Sequence, residues 1–392
     1  MQIVLYDNDE WRAKLYPLSL TRPVADLRVG ILTIGEKWSK WLKQPVSFLT
    51  EEYLKPKYPT FNQDNDVLLI RAGVCPDERL CTEVMSLKAG EKLVNRQDII
   101  AIRTTVDEVK LSARPSTDFY RPLVYVHDFV DIVYPEDIFI NNGIEIRKDF
   151  QLLTAGRISA TLSSTNTILG ENIFVEEGAV AECCIINTLK GPVYLGRNSE
   201  IWEGTAVRGS FALGDDSQVK MGAKIYSNVT VGPGCRVGGE LNTCVIWGNS
   251  SKGHEGYFGS GVMGEWCNWG ADTNNSNLKN NYKNVRVYDY KSDSYRDTGL
   301  QFYGLIMGDH SKCAINTSFN TGTVVGVSAS IFGGGVPPTF VPDFSWGNHG
   351  IYELEKMFST AKLVFARRNR KFDNIEQSIL NEVFEITRKQ RD

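Results

Sequence analysis

A small apolar residue returns at every sixth position from Leu195 through Ile201, Val207, Leu213, Val219, Ile225 and Val231 to Val237. A helix repeats about every 3.6 residues and a strand about every 2, so neither produces this spacing. A period of six predicts a parallel β-helix of triangular section, each hexad contributing one short strand and one corner. The same phase occurs at Leu169 and Val175, and a shifted one at Met263 and Trp269 and from Met307 through Cys313, Phe319 and Val325 to Ile331. Glycine often follows the apolar residue, as at Gly196, Gly214, Gly232, Gly238 and Gly308, where a corner leaves little room for a side chain. Of the 35 glycines, thirty lie between positions 151 and 350, five precede them and none follows, so the chain has at least two compositional regimes. The repeat is broken over 244–261 and over 272–297, and both breaks are expected to leave the solenoid at its corners, where such proteins place function.

With 43 Lys and Arg against 47 Asp and Glu in 392 residues, the chain lacks the basic excess of a nucleic-acid binder. A hydrophobic share of 42% with 23% charged residues supports a large core. The first seven residues lack the basic start and apolar run of an export signal, and no stretch reaches the roughly 20 apolar residues of a membrane span. The expectation is a soluble cytoplasmic protein with no membrane partner. Its eight cysteines contain no CxxC pair, so small buried thiols are expected rather than a disulfide framework.

Three regions are expected. Residues 1–150 read as an α/β layered domain, with strands over 3–5, 46–49 and 67–70 and helices over 29–41 and 78–87. Residues 151–345 hold the solenoid. Residues 346–392 read as two helices, one with an apolar face of Leu354, Met357, Phe358, Ala361 and Phe365, the other with Ile375, Ile379, Leu380, Val383 and Phe384 and a capping pair in Asp373 and Glu376. The basic run Arg367 to Lys371 between them reads as a solvated linker rather than a clamp for the phosphates of coenzyme A.

The segment Ser251-Lys252-Gly253-His254-Glu255-Gly256-Tyr257-Phe258-Gly259, followed by Asn268-Trp269-Gly270-Ala271-Asp272-Thr273 and by Asn277 and Lys283, resembles the acetyltransferase half of the bifunctional N-acetylglucosamine-1-phosphate uridylyltransferase/glucosamine-1-phosphate acetyltransferase family. The resemblance implies a left-handed parallel β-helix that forms a homotrimer. It also implies His254 as catalytic base, Tyr257, Asn268 and Lys283 as ligands of an amino-sugar phosphate, and Ala271 and Asn277 as parts of an acetyl-CoA site. A lysine of that family falls near Asn242 here. The chemistry agrees, because acetyl transfer to an amine needs a base titrating near neutrality and a donor for the developing oxyanion. His254 sits between glycines at a break in the repeat, beside Glu255, which stands to orient it. His310 reads as a solvated corner, Trp266 and Trp269 as packing residues, and the asparagine cluster from Asn274 to Asn281 as either a turn-rich loop or a ligand contact.

Leu15-Tyr16-Pro17-Leu18-Ser19-Leu20-Thr21-Arg22-Pro23 resembles the start of a nucleoside-diphosphate-sugar pyrophosphorylase of the sugar nucleotidyltransferase superfamily. Where that family carries a glycine-rich phosphate loop, this chain has Asp7-Asn8-Asp9-Glu10-Trp11-Arg12, and Val24 stands in place of a family lysine. Arg12, Lys14 and Arg22 are expected at the phosphate end, and Asp7, Asp9 and Asn142 as a rearranged Mg²⁺ site. An active domain and a degenerate, ligand-binding one are both open. The leading expectation is an enzyme of nucleotide-sugar metabolism that uses acetyl-CoA to acetylate a glucosamine-1-phosphate-like sugar. The alternatives are a glucose-1-phosphate thymidylyltransferase or uridylyltransferase, taking a nucleoside triphosphate with a structural solenoid, and a non-catalytic sugar-nucleotide sensor or scaffold.

Overall fold

The computed structural model describes residues 1–59, 66–96, 98–105, 119–347 and 350–391. The amino-terminal region forms a six-stranded mixed sheet in the order Val46–Leu49, Gln2–Tyr6, Val67–Arg71, Asp98–Thr104, Glu91–Asn95, Arg121–Val124. Its central strands carry continuous apolar runs because both faces are covered: Val67 to Ile70 are wholly buried. After the short helix Asp9–Lys14, the helix expected over 29–41 spans Ile34–Leu42. Gly30 takes a left-handed φ of 80°, and Thr33 caps the helix reciprocally with Glu36, so the chain cannot enter a helix earlier. The helix expected over 78–87 is Glu78–Ser86, capped by Asp77.

Beyond it, short parallel strands stack into three faces of a β-helix. One face runs through Val193–Leu195, Phe211–Leu213 and Val229–Val231, the second through Glu200–Ile201, Gln218–Val219 and Arg236–Val237, and the third through Ala206–Arg208 and Lys224–Ile225. All eight residues of the hexad series are at most 2% exposed and form one core column. Coils lie so close at the corners that a methyl group on Gly232 would sit 1.3 Å from the Trp247 carbonyl oxygen.

The two breaks in the repeat differ in kind. Over 244–261 nothing leaves the solenoid: the coil shortens, and Leu241, Ile246 and Phe258 continue the inward column in parallel register. The break after Asp272 is a true insertion, carrying the antiparallel hairpin Arg286–Asp289/Ser294–Asp297. The carboxy-terminal helices are Leu354–Ala366 and Asn374–Ile386, the second capped by Asp373 as expected. All eight cysteines are free thiols and seven are buried.

The helix Pro135–Thr154 runs through position 150 and joins the two halves. Residues of both halves share one core, with Val245, Trp247, Val262, Ile306 and Val324 of the solenoid packed among Leu27, Val29 and Phe139. Across the same joint, Asp309 accepts hydrogen bonds from Thr21 (2.6 Å) and Arg22 (2.5 Å), and the Arg22 guanidinium lies 4.7 Å from the Trp247 ring. Among the described residues no helix is long and apolar enough to cross a membrane.

Candidate functional site

Of the residues expected to bind phosphate and metal, Asp7, Arg12, Arg22 and Asn142 are engaged in contacts within the protein, whereas Asp9 is exposed and Lys14 half-buried. Arg12 is wholly buried on the short helix Asp9–Lys14 and donates to Asp7 (3.2 Å), Thr50 (3.1 Å), Tyr53 (3.1 Å) and the carbonyls of Ser19 and Arg22. Arg22 is spent on Asp309, Glu265 and Asp26. Lys14 is half-buried, 5.7 Å from the Tyr134 ring. These three cations therefore do not converge on a ligand. The Mg²⁺ set fails the same way. Both Asp7 oxygens are occupied, one by Thr50 (2.8 Å) and the other by Arg12 and the Val24 amide (2.7 Å). Asp9 is exposed. Asn142 faces the solenoid, accepting from the Gly30 amide (2.8 Å) and Thr230 (3.0 Å) and donating to the Asn228 carbonyl (2.9 Å). Among the described residues no cluster of His, Cys, Asp or Glu is arranged to hold a metal ion, so Mg²⁺ does not fit the predicted set.

In the solenoid, some of the predicted residues do meet. The Asn277 side chain donates to the Tyr257 hydroxyl (2.9 Å) and to Ser260 (3.2 Å). These three, with Asn242, line an open cavity of about 740 Å³ whose wall also includes Phe139 of the joining helix and the loop Gly299 to Phe302. Burial raises the Tyr257 phenol above its usual pKa, so it is a neutral hydrogen-bonding group here. Asn274 and Asn275 tie down the strand that carries Tyr257: Asn274 accepts from the Tyr257 amide (2.7 Å), and Asn275 pairs with the amide and carbonyl of Gly259 (2.9 and 3.0 Å). The asparagine cluster is thus partly structural and partly, through Asn277, cavity wall.

His254 does not line this cavity. It is exposed at the corner between strands Ser251–Lys252 and Tyr257–Met263, and Glu255 pairs with Lys224 (3.7 Å). Asn268 lies one face away, outward on strand Asn268–Trp269, where it lines a second cavity. Ala271 follows that strand and accepts, through its carbonyl, the Asn316 amide (2.8 Å), while Lys283 is exposed on the inserted loop. The corner residue His254 therefore stands between a wall bearing Tyr257 and Asn277 and a wall bearing Asn268. His310 is not a solvated corner. It is 7% exposed, packed among Trp266, Phe365 and Phe372, and burial holds its pKa well below the usual value. Trp266 packs on Phe365 at 3.7 Å and Trp269 fills the solenoid core.

Sequence reasoning missed Lys252. Its register partner on the preceding coil is Val237, so it points into the column where the repeat calls for an apolar side chain, and it is 2% exposed. Its ammonium donates to the carbonyls of Gly238 (2.9 Å) and His254 (3.0 Å), which fastens the His254 corner to the coil below. Reading the register through the shortened coil, rather than stopping at Val237, would have revealed it. Burial lowers its pKa from 10.5 to about 8. Between those values the unfolded chain holds the proton that the folded one has lost, so stability rises with pH across that window. Urea unfolding of wild type and Lys252→Met at pH 7.5 and 10.5 should differ in slope, the wild type gaining about 3 kcal/mol relative to the variant. Parallel curves would contradict an inward amine whose charged form burial disfavours.

Residues 3–158 match the family model described as "Sugar nucleotidyl transferase". The chain is 36% identical over 87 residues to the bifunctional protein GlmU of Methanocaldococcus jannaschii, covering 22% of this chain and 21% of that protein. It is 25% identical over 201 residues to the bifunctional protein GlmU of Methanococcus maripaludis, covering 51% of this chain and 42% of that protein. The aligned part thus spans about a fifth to two fifths of the length of these curated relatives. Over residues 3–158 the chain carries a sugar nucleotidyl transferase domain, and over part of its length it is a distant homologue of the bifunctional GlmU proteins.

Proposed function

We propose that the solenoid half transfers an acetyl group from acetyl-CoA to the amine of a glucosamine-1-phosphate-like sugar. The observation that carries this reading is the Tyr257–Asn277 pair at the wall of a 740 Å³ cavity, one corner away from an exposed His254. In the reaction the amine attacks the thioester carbonyl, the new C–N bond forms and the C–S bond breaks. His254 accepts the proton that the amine sheds and returns it to the departing thiolate. The Tyr257 hydroxyl offers a neutral donor suited to the carbonyl oxygen as charge develops on it, and the Asn277 side-chain oxygen, whose NH₂ is held by Tyr257 and Ser260, offers an acceptor for a sugar hydroxyl or amine. Because Asn268 and Lys283 stand away from that wall, a second copy presenting its own outward face supplies the missing contacts, which is the basis for a homotrimer in this reading.

The match over residues 3–158 favours a second activity, nucleotidyl transfer to a sugar-1-phosphate, but the internally bonded Asp7 and Arg12 give it no assembled metal or phosphate site. Purified protein given acetyl-CoA and glucosamine-1-phosphate should release free thiol only when both are present. No release across a panel of amino-sugar phosphates would sink the acetyl-transfer reading, and pyrophosphate release from a nucleoside triphosphate in the same mixtures would establish the second activity.

A further inference from the structure

The second cavity, of about 500 Å³, lies between the outward face of the solenoid and the end of helix Leu354–Ala366. Its wall includes Lys220, Arg236, Lys312, Arg367 and Arg368, and no carboxylate. Among the described residues none of these five forms an ion pair. Lys220 donates to Gln218 (3.0 Å) and lies 3.6 Å from the Trp202 ring, Arg236 donates to the carbonyls of Asp216, Gly234 and Cys235, and Lys312 donates to the His310 carbonyl (2.8 Å). Glu200, the acid that acts on Lys220, is engaged by Trp202 (2.8 Å) and Gln218 (3.0 Å).

The register explains the convergence. Gln218, Arg236, Ser251, Asn268 and Lys312 occupy one outward column on successive coils, so their side chains stand in a row, and the helix end brings Arg367 and Arg368 over it. Burial and mutual repulsion disfavour the charged forms: burial lowers the pKa of Lys220, Lys312 and Arg368, and Arg236 lowers those of Lys220 and Arg368 further. Five cations held together without a counter-charge are an anion site, and their spacing along a column suits a ligand with charge at more than one point. Ser251, Asn249 and Asn268 add neutral hydrogen-bonding groups to the same wall.

We propose that this groove binds the phosphates of a nucleotide carrying at least two of them. Two sources share that chemistry: the 3′-phospho-ADP portion of coenzyme A, an assignment that rests on the acetyl-transfer reading, and a free nucleoside triphosphate, which does not. The full chain is titrated calorimetrically with 3′-phosphoadenosine 5′-phosphate, with UTP and with inorganic phosphate. At least one nucleotide is expected to bind more tightly than phosphate, with an affinity that falls as salt is raised. The double variant Arg236→Gln/Arg368→Gln is expected to weaken it at least tenfold, and Arg367→Gln, on an exposed position, to weaken it in the same direction. Preference for the adenosine compound points to the coenzyme source and preference for UTP to the triphosphate. No binding by either nucleotide, equal affinity for phosphate and both nucleotides, or affinities unchanged in both variants would overturn the proposal. Intact nucleotide binding in a protein that releases no thiol from acetyl-CoA would count against acetyl transfer alone and leave the groove standing.

Discussion

Replacing Asp309 by alanine is expected to destabilise the protein by about 3 to 5 kcal/mol, the usual penalty for removing one member of a buried ion pair. Asp309 and Arg22 are 4% and 6% exposed at their side chains and belong to opposite halves of the chain. One Asp309 oxygen takes Arg22 and Thr21, and the other takes the Glu265 amide (2.7 Å), so truncation leaves a guanidinium, a hydroxyl and an amide short of an acceptor at once. Glu265 lies 3.3 Å from Arg22 and takes up part of the charge, which places the effect toward the lower end of the range. Asp309→Asn keeps an acceptor for the amide and should lose less. Urea midpoints for the two variants, with limited proteolysis of the joint, provide the measurement. A loss within 0.5 kcal/mol for Asp309→Ala, about the scale of ordinary surface substitutions, would mean that the apolar core shared by the two halves holds them together without this pair.

The second large effect is catalytic. In the proposed acetyl transfer, His254→Ala is expected to lower kcat/KM by about 10²- to 10⁴-fold, the range that a positioned general base contributes. Because His254 is exposed and its imidazole packs against nothing in the core, the melting temperature should stay with the wild type. The contrast with Tyr257→Phe is informative. That change removes the hydroxyl that accepts from Asn277 while keeping the ring, so a rise in KM larger than the fall in kcat would assign Tyr257 to substrate binding. Full activity in His254→Ala would remove the imidazole from the mechanism.

The period of six in the sequence determined the solenoid, because the inward direction of a side chain in a β-helix is set locally, by its place within one short strand. The Asp373 cap and the apolar stripes of the carboxy-terminal helices were legible for the same reason, although Glu376 pairs with Lys57 instead of completing the cap, and the glycine corners marked where successive coils touch. The His254 neighbourhood was legible as a motif, although its meeting of Tyr257 with Asn277 depends on an inserted loop folding back over the coil. Charge partners were not legible. Arg12 and Arg22 looked like phosphate ligands because a sequence shows a cation without its acceptors, and those acceptors are Asp7 and backbone carbonyls in one case and Asp309, on the far half of the chain, in the other. Lys252 carried no role of its own in the His254 motif, and only the shortened coil placed it in the core column. The basic groove required strands from five successive coils and the end of a helix to meet. Periodicity encodes which way a side chain points, whereas what it meets there depends on contacts between residues far apart in the chain, and only the tertiary structure decided those.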